Sequence, residues 1–208
     1  MYRKLLLPGA LAAAVVLAAC DGGTTGPDGS SQLSADDVRA LAGETGDQDG
    51  AMMDGFAGPS FNKTPAGPQF ATTVLTSFTR VRNCPQGGSV KLEGTHTLTF
   101  DPATRNGDVA FSATRTENAC VFDRGGSTVT ITSNPNTLLT AWQNWTNGVP
   151  GVRTATRKGS FTWTHSNGSA GTCDMDVTAT WDLATHTLHV QGTFCNQSVD
   201  VTRTWSQS

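Results

Sequence analysis

From Phe70 onward the chain alternates apolar and polar positions with a period of two. Val90, Leu92, Leu98 and Phe100 share one parity, while Lys91, Glu93, Thr95, Thr97 and Thr99 take the other. That is the pattern of a strand with one face against a core. The stretch Asp101-Pro102-Ala103-Thr104-Arg105-Asn106-Gly107 has turn chemistry, and Val109, Phe111 and Ala113 then resume the alternation, which predicts a hairpin. A second hairpin sets Met175, Val177, Ala179 and Trp181 against Leu188, Val190 and Phe194, across a turn at Asp182-Leu183-Ala184-Thr185-His186. Further strands are predicted over 70–82, 127–133, 152–165 and 198–205, whereas Leu138, Leu139, Trp142 and Trp145 fit a helical face as well as an extended run. The predicted fold is all-β: an antiparallel meander of about eight strands over residues 69–208, barrel-like or a two-sheet sandwich. Thr and charged residues fill the alternate face, where a membrane barrel would need an apolar band.

The segments Thr99–Thr104 and Thr180–Thr185 are offset by 81 residues and share four identities plus a Phe/Trp exchange. This pattern has two readings, a duplicated hairpin or coincidence between Thr-rich turns. Each hairpin is flanked by two cysteines, which suggests disulfides Cys84–Cys120 and Cys173–Cys195. The second pair is equidistant from Ala184, yet that register would set Met175 opposite Thr193 and Val177 opposite Gln191. A shift of one residue aligns the apolar sets, so a β-bulge between Val190 and Cys195 is expected to reconcile the two.

Ahead of the β pattern, residues 21–68 are rich in Gly, Pro, Asp, Ser and Thr and hold too few apolar residues for a core of their own. Together with Cys20 they read as a flexible, disordered acidic spacer over 20–68. One island interrupts it: Ser34 as an N-cap, Asp37 three residues on, Leu33 and Val38 as a staple, and Leu41. A short helix over 34–42 follows, either a transient turn in the spacer or a docking helix for a partner.

The first twenty residues have the parts of an export signal. Arg3 and Lys4 precede an apolar run from Leu5 to Leu17, and Leu17-Ala18-Ala19-Cys20 closes it. The run is short for a membrane span and is broken by Pro8-Gly9. The closing four residues resemble the lipobox of bacterial lipoproteins. The resemblance implies cleavage after residue 19, a diacylglycerol thioether on Cys20 and acylation, commonly with palmitate, of the new amino terminus. Such a chain is expected on a cell-envelope membrane, exposed to the periplasm or the cell exterior, because two or three acyl chains anchor stably. Asp21 resembles an inner-membrane retention signal of enterobacterial lipoproteins, a rule that varies between bacterial groups, so both membranes stay open. With Cys20 assigned to lipid, the even set of four remaining cysteines fits an oxidising compartment.

Charge and candidate chemistry narrow the function without fixing it. Residues 21–68 carry 2 basic and 8 acidic side chains, and residues 69–208 carry 10 and 9; there is no basic patch for nucleic acid. No nucleophile elbow, nucleotide loop or metal-spaced cysteine pair occurs, so no catalytic residue, metal or cofactor is assigned. His186 and His189, three apart on a strand, point to opposite faces, which argues against a His/Asp metal site. Of the aromatics, Trp163, Trp181 and Trp205 sit on apolar parities and read either as core or as lining of a ligand cavity, while Trp142 and Trp145 add to the count. Arg115 and Arg203 share core parity and are candidates to hold an anion inside a barrel. The leading expectation is a non-enzymatic, membrane-anchored binding or assembly module with an envelope protein or small ligand as partner. A β-barrel carrier of an apolar or anionic ligand comes second and a metal-dependent hydrolase third.

Overall fold

A computed structural model describes residues 32–54, 56, 71–133 and 136–204. In chain order these form helix α1 (Ala35–Met53) and strands β1 (Thr72–Asn83), β2 (Ser89–Asp101), β3 (Asn106–Asn118), β4 (Cys120–Asp123) and β5 (Thr128–Ser133). Strands β6 (Thr137–Thr146), β7 (Val149–His165), β8 (Ala170–Asp182), β9 (Thr187–Phe194) and β10 (Gln197–Thr204) complete the fold. All ten strands belong to one antiparallel sheet with the path β1-β2-β3-β6-β7-β8-β9-β10, and the β4–β5 hairpin joins it through β7. Among the described residues no ladder joins β1 to β10. The sheet is therefore open, neither a closed barrel nor a two-sheet sandwich. The ambiguous stretch 138–145 is strand β6, with Leu139 and Ala141 buried and Leu138 and Trp142 on the outer face.

Strand β7 is long because it serves two partners. Its first part, Val149 to Lys158, pairs with β6, and Phe161 to His165 pair with β5. Gly159 stands at the changeover with φ of +146°, where an added Cβ would come within 2.9 Å of Thr137. A side chain there would be strained by both backbone and space.

The 81-residue offset extends well beyond the turn. Thr72 faces Phe100 in β1–β2 as Arg153 faces Trp181 in β7–β8, and Asp101 faces Asn106 in β2–β3 as Asp182 faces Thr187 in β8–β9. Both ladders of the unit β1-β2-β3 thus recur in β7-β8-β9 with the same register. The turns match in detail: Asp101 and Asp182 each accept a hydrogen bond at Oδ1 from the backbone two residues on, at 2.9 Å, and Arg105 and His186 both take positive φ, 58° and 54°. Self-bonding Asx residues fix this turn in both copies.

The disulfides are Cys84–Cys120, with Cα atoms 5.4 Å apart, and Cys173–Cys195, 4.4 Å apart. The expected bulge is absent from the β8–β9 ladder, which keeps the apolar register throughout, with Met175 opposite Phe194 and Trp181 opposite Leu188. The mismatch is absorbed beyond it. Cys195 and Asn196 form the β9–β10 turn at φ of 53° and 60°, and the Cys195 amide donates to Asp174 O at 2.8 Å. The thiol reaches Cys173 from a turn, not from a rung.

The helix begins as the sequence predicts, with Ser34 Oγ accepting from the Asp37 amide at 3.1 Å. It does not stop near Gly43 but runs for 19 residues to Met53, with eleven of them buried. Residues 32–54 are therefore part of the folded domain and not spacer; the rest of the expected spacer, except Phe56, lies outside the described residues. Few sequences this rich in Gly and Asp would be helical alone. Here tertiary contact decides. Gly43, Gly46 and Gly50, spaced i, i+3 and i+7, bring one side of the helix backbone against Arg203, against Leu188 and Val190, and against Trp181. Both sheet edges reach the same helix: Arg80 of β1 donates to Met52 O at 3.0 Å, and Gln197 of β10 donates to Leu33 O at 2.9 Å. The sheet curls around α1, and the core lies on its concave face.

Candidate functional site

The interior is occupied by the chain's own charges. Asp49 of α1 accepts from Arg115 Nε at 2.7 Å and from Arg157 Nη1 at 3.0 Å, all three side chains being almost wholly buried. Gln48 and Thr45 accept further bonds from Arg115 and Arg157 at 2.8 and 2.7 Å, and Arg115 also meets Glu117, which bonds Ser133. Burial lowers the Arg115 guanidinium to about 10 despite the pull of Asp49, and lowers Arg157 for the same reason. Both stay charged at neutral pH. The other acidic residues of the helix's buried flank are met in turn: Glu44 by Arg124 at 3.0 Å, Asp47 by Arg203 at 3.2 Å and, just past the helix end, Asp54 by Arg153 at 2.7 Å. The charge split of the sequence, an acidic leading segment before a domain rich in arginine, is the signal of this docking.

This arrangement settles where the sequence candidates lie. Arg115 and Arg203 pair with aspartates of the same chain, Arg115 with Asp49 and Arg203 with Asp47. Trp163 and Trp181 are 3% and 2% exposed and fill the core, and Trp205 lies outside the described residues. A ligand could take the place of Asp49 only by displacing α1, a costly step; beside the helix an opening of about 270 Å³ is lined by Glu44, Asp47, Gln48, Arg82, Pro85 and Phe122. The histidines are scattered. His96 stacks among Phe56, Phe78 and Phe111, His165 lies 3.4 Å from Ser127, His186 is a turn residue, and His189 pairs with Asp200 at 2.8 Å. Among the described residues no group of three or more His, Cys, Asp or Glu could hold a metal.

The sheet's outer face offers a different site. At the end carrying the β2–β3 and β6–β7 turns, an open groove of about 430 Å³ is lined by Phe100, Asp108, Trp142, Asn144 and Trp145, with Thr99 at its edge. Its geometry follows from the ladders. Thr99, Asp108 and Asn144 form one rung across β2, β3 and β6, and Trp142 lies on the next, flanked by Ala110 and Thr154. Small neighbours leave its indole 48% exposed. Trp145, half-buried, packs on the core cluster and closes the floor.

The local backbone is built for this. The β6–β7 register shifts between Gln143 and Trp145, placing an extra β7 residue opposite Asn144. A Cβ on Gly151 would stand 2.1 Å from Asn144 Oδ1, so glycine is what lets that amide lie where it does. The two turns are stitched together, Gly148 N donating to Arg105 O at 2.7 Å and Asn147 N to Asn106 Oδ1 at 2.8 Å. Asp101 is spent on its own turn, where bonds from Thr104 and the Ala103 amide hold its carboxyl below the usual range. Asp108 and Asn144 have no side-chain hydrogen bond among the described residues, which leaves a carboxylate and an amide free beside an exposed indole. Sequence reasoning counted Trp142 and Trp145 but could not place them, since their segment read as helix or strand, and it passed over Asp108 and Asn144. Fixing β6 as a strand would have put Trp142 on the polar parity. No protein-family model, curated protein or solved structure matches this chain.

Proposed function

We propose that this chain is a lipid-anchored protein of a bacterial cell envelope whose β domain is a non-enzymatic binding module. On this reading residues 1–19 are removed on export and Cys20 carries the lipid. The observation that supports it most is the pairing of cysteines. Of five in the sequence, Cys84, Cys120, Cys173 and Cys195 are joined to one another, which suits an oxidising compartment and leaves Cys20 as the one thiol for acylation. The binding reading draws on the groove: an exposed aromatic and unengaged polar groups on a stitched backbone. Intact mass and peptide mapping of the mature chain test the anchor. Cleavage before Cys20 with acyl chains on that residue is expected, and Cys20→Ser should abolish both; an unmodified Cys20 in the exported chain would overturn the reading.

A further inference from the structure

We infer that the groove at the turn end of the sheet binds a neutral saccharide, with Trp142 as the stacking platform and Asp108, Asn144 and Thr99 as the hydroxyl-reading groups. The inference rests on the reading of the domain as a binding module and names the ligand class of that site.

Four features select this chemistry. The groove is open, whereas a purely apolar ligand needs an enclosed cavity that covers most of its surface. Among the described residues no Lys or Arg lines it, so an anion meets no counter-charge from them. Its apolar surface is aromatic: Trp142 is 48% exposed on a sheet whose flanking positions are Ala110 and Thr154, with half-buried Phe100 and Trp145 beside it. Its polar elements are an acceptor-only carboxylate, an amide that donates and accepts, and a hydroxyl, all on one rung. A pyranose ring presents the matching set: an apolar C–H face to lie on the indole and equatorial hydroxyls at its rim. Those hydroxyls donate to Asp108 and exchange bonds with Asn144 and Thr99. Residues on neighbouring strands of one rung stand about 4.5–5.5 Å apart, a spacing that lets successive hydroxyls of one ring be read by successive strands. The stitched turns hold the rung in place before the ligand arrives, which limits the ordering entropy lost on binding.

A cation is the competing ligand, since an indole and a carboxylate also attract an ammonium group. One feature weighs against it: Asn144 and Thr99, the amide and the hydroxyl on the rung of Asp108, would have nothing to do. Ionic strength separates the two, because attraction between an ammonium and Asp108 is screened by salt while hydroxyl contacts to a neutral ring are not.

The test is titration calorimetry and indole fluorescence on the purified full-length chain. The probes are cellohexaose, xylohexaose, laminarihexaose, maltohexaose, mannohexaose and chitohexaose, with tetramethylammonium as the cationic probe. At least one hexaose is expected to bind with a Kd of millimolar or tighter, shifting indole emission to the blue and changing little between low and high salt. Trp142→Ala should weaken it by tenfold or more and Trp142→Phe by less, and Asp108→Asn should weaken it by about tenfold, the loss of one charge-assisted bond. Both positions are on the surface, so thermal midpoints of the variants should match the parent. Silence across all six hexaoses would overturn the saccharide assignment, as would binding of tetramethylammonium alone with loss in salt. Saccharide binding untouched by either substitution would remove the groove while leaving the binding-module reading in place.

Discussion

Gly50 of the helix lies flat against the Trp181 indole, so close that a Cβ on residue 50 would stand 2.5 Å from Nε1 and 3.1 Å from Cδ1 and Cε2. The indole is 2% exposed and has nowhere to swing. Gly50→Ala should therefore destabilise the fold by about 1–3 kcal/mol through overpacking, outweighing the roughly 1 kcal/mol by which Ala favours a helix. Gly43 provides the contrast. Its added Cβ would meet the Arg203 side chain, at 2.7 Å from Cδ, but that side chain is 38% exposed and flexible. Gly43→Ala should be neutral or stabilising by up to about 1 kcal/mol. Urea midpoints of the two variants, measured together, check both signs.

Asp49 holds two buried guanidiniums at once, and removing it takes the carboxylate from Arg157 and leaves Arg115 with Glu117 alone. Asp49→Ala should cost about 3–5 kcal/mol, the range for breaking a buried ion pair from one side. Replacing Asp49, Arg115, Glu117 and Arg157 together by apolar residues of similar volume should cost far less, because no buried charge is then left without a partner. Equilibrium unfolding of the single and quadruple variants distinguishes a latch that needs its partners from one whose charges are dispensable as a set.

The same contacts explain what was legible in the sequence. The period-two pattern located the strands, and the 81-residue echo at Asp101 and Asp182 was the visible part of a three-stranded unit used twice. Those signals are local, carried by side-chain parity and Asx turns. Helix α1 was hidden because its helicity comes from long-range contact: Gly46 and Gly50 lower helix propensity but are what allow Leu188, Val190 and Trp181 to approach. That the sheet stays open was hidden for the same reason, since nothing in the strands says that a helix will lie between the two edges. The groove depends on a register shift opposite Asn144, and residues 138–145 fit a helical face as well as a strand, so there was no settled alternation in which to see the shift.

His96 gives a pH dependence with a defined sign. Burial, and then the positive charge of Arg80, hold its imidazole below the usual 6.5, and it stacks against Phe56, Phe78 and Phe111. The unfolded chain takes up the proton first, so stability is full above about pH 6.5 and is lost as pH falls from there through the folded value. His96→Gln, which cannot titrate, should flatten that part of the profile. Urea unfolding between pH 7.5 and pH 5 would show it; a parent profile as flat as the variant's would mean that His96 carries no linkage.

The twin turns make a prediction at lower pH that separates three carboxylates. Hydrogen bonds from Thr104 and Ala103 lower Asp101, and bonds from the Thr185 and Ala184 amides lower Asp182. Each contributes stability that is present above about pH 3.8 and is lost as pH falls through the folded value. Asp47 runs the other way: burial, aided by Glu44, outweighs Arg203 and raises its carboxyl. Its contribution is present below about pH 3.8 and is lost as pH rises through the raised value. Asn keeps the acceptor oxygen of each turn but not its charge. The double variant Asp101→Asn, Asp182→Asn should therefore shed less stability than the parent between pH 4 and pH 2. Asp47→Asn should instead stabilise at pH 7 or leave stability unchanged. Thermal midpoints across pH 2–7 for the parent and the variants read all three at once, and unequal effects at Asp101 and Asp182 would mean that the two copies of the unit, alike in register, differ in how firmly their turns are held.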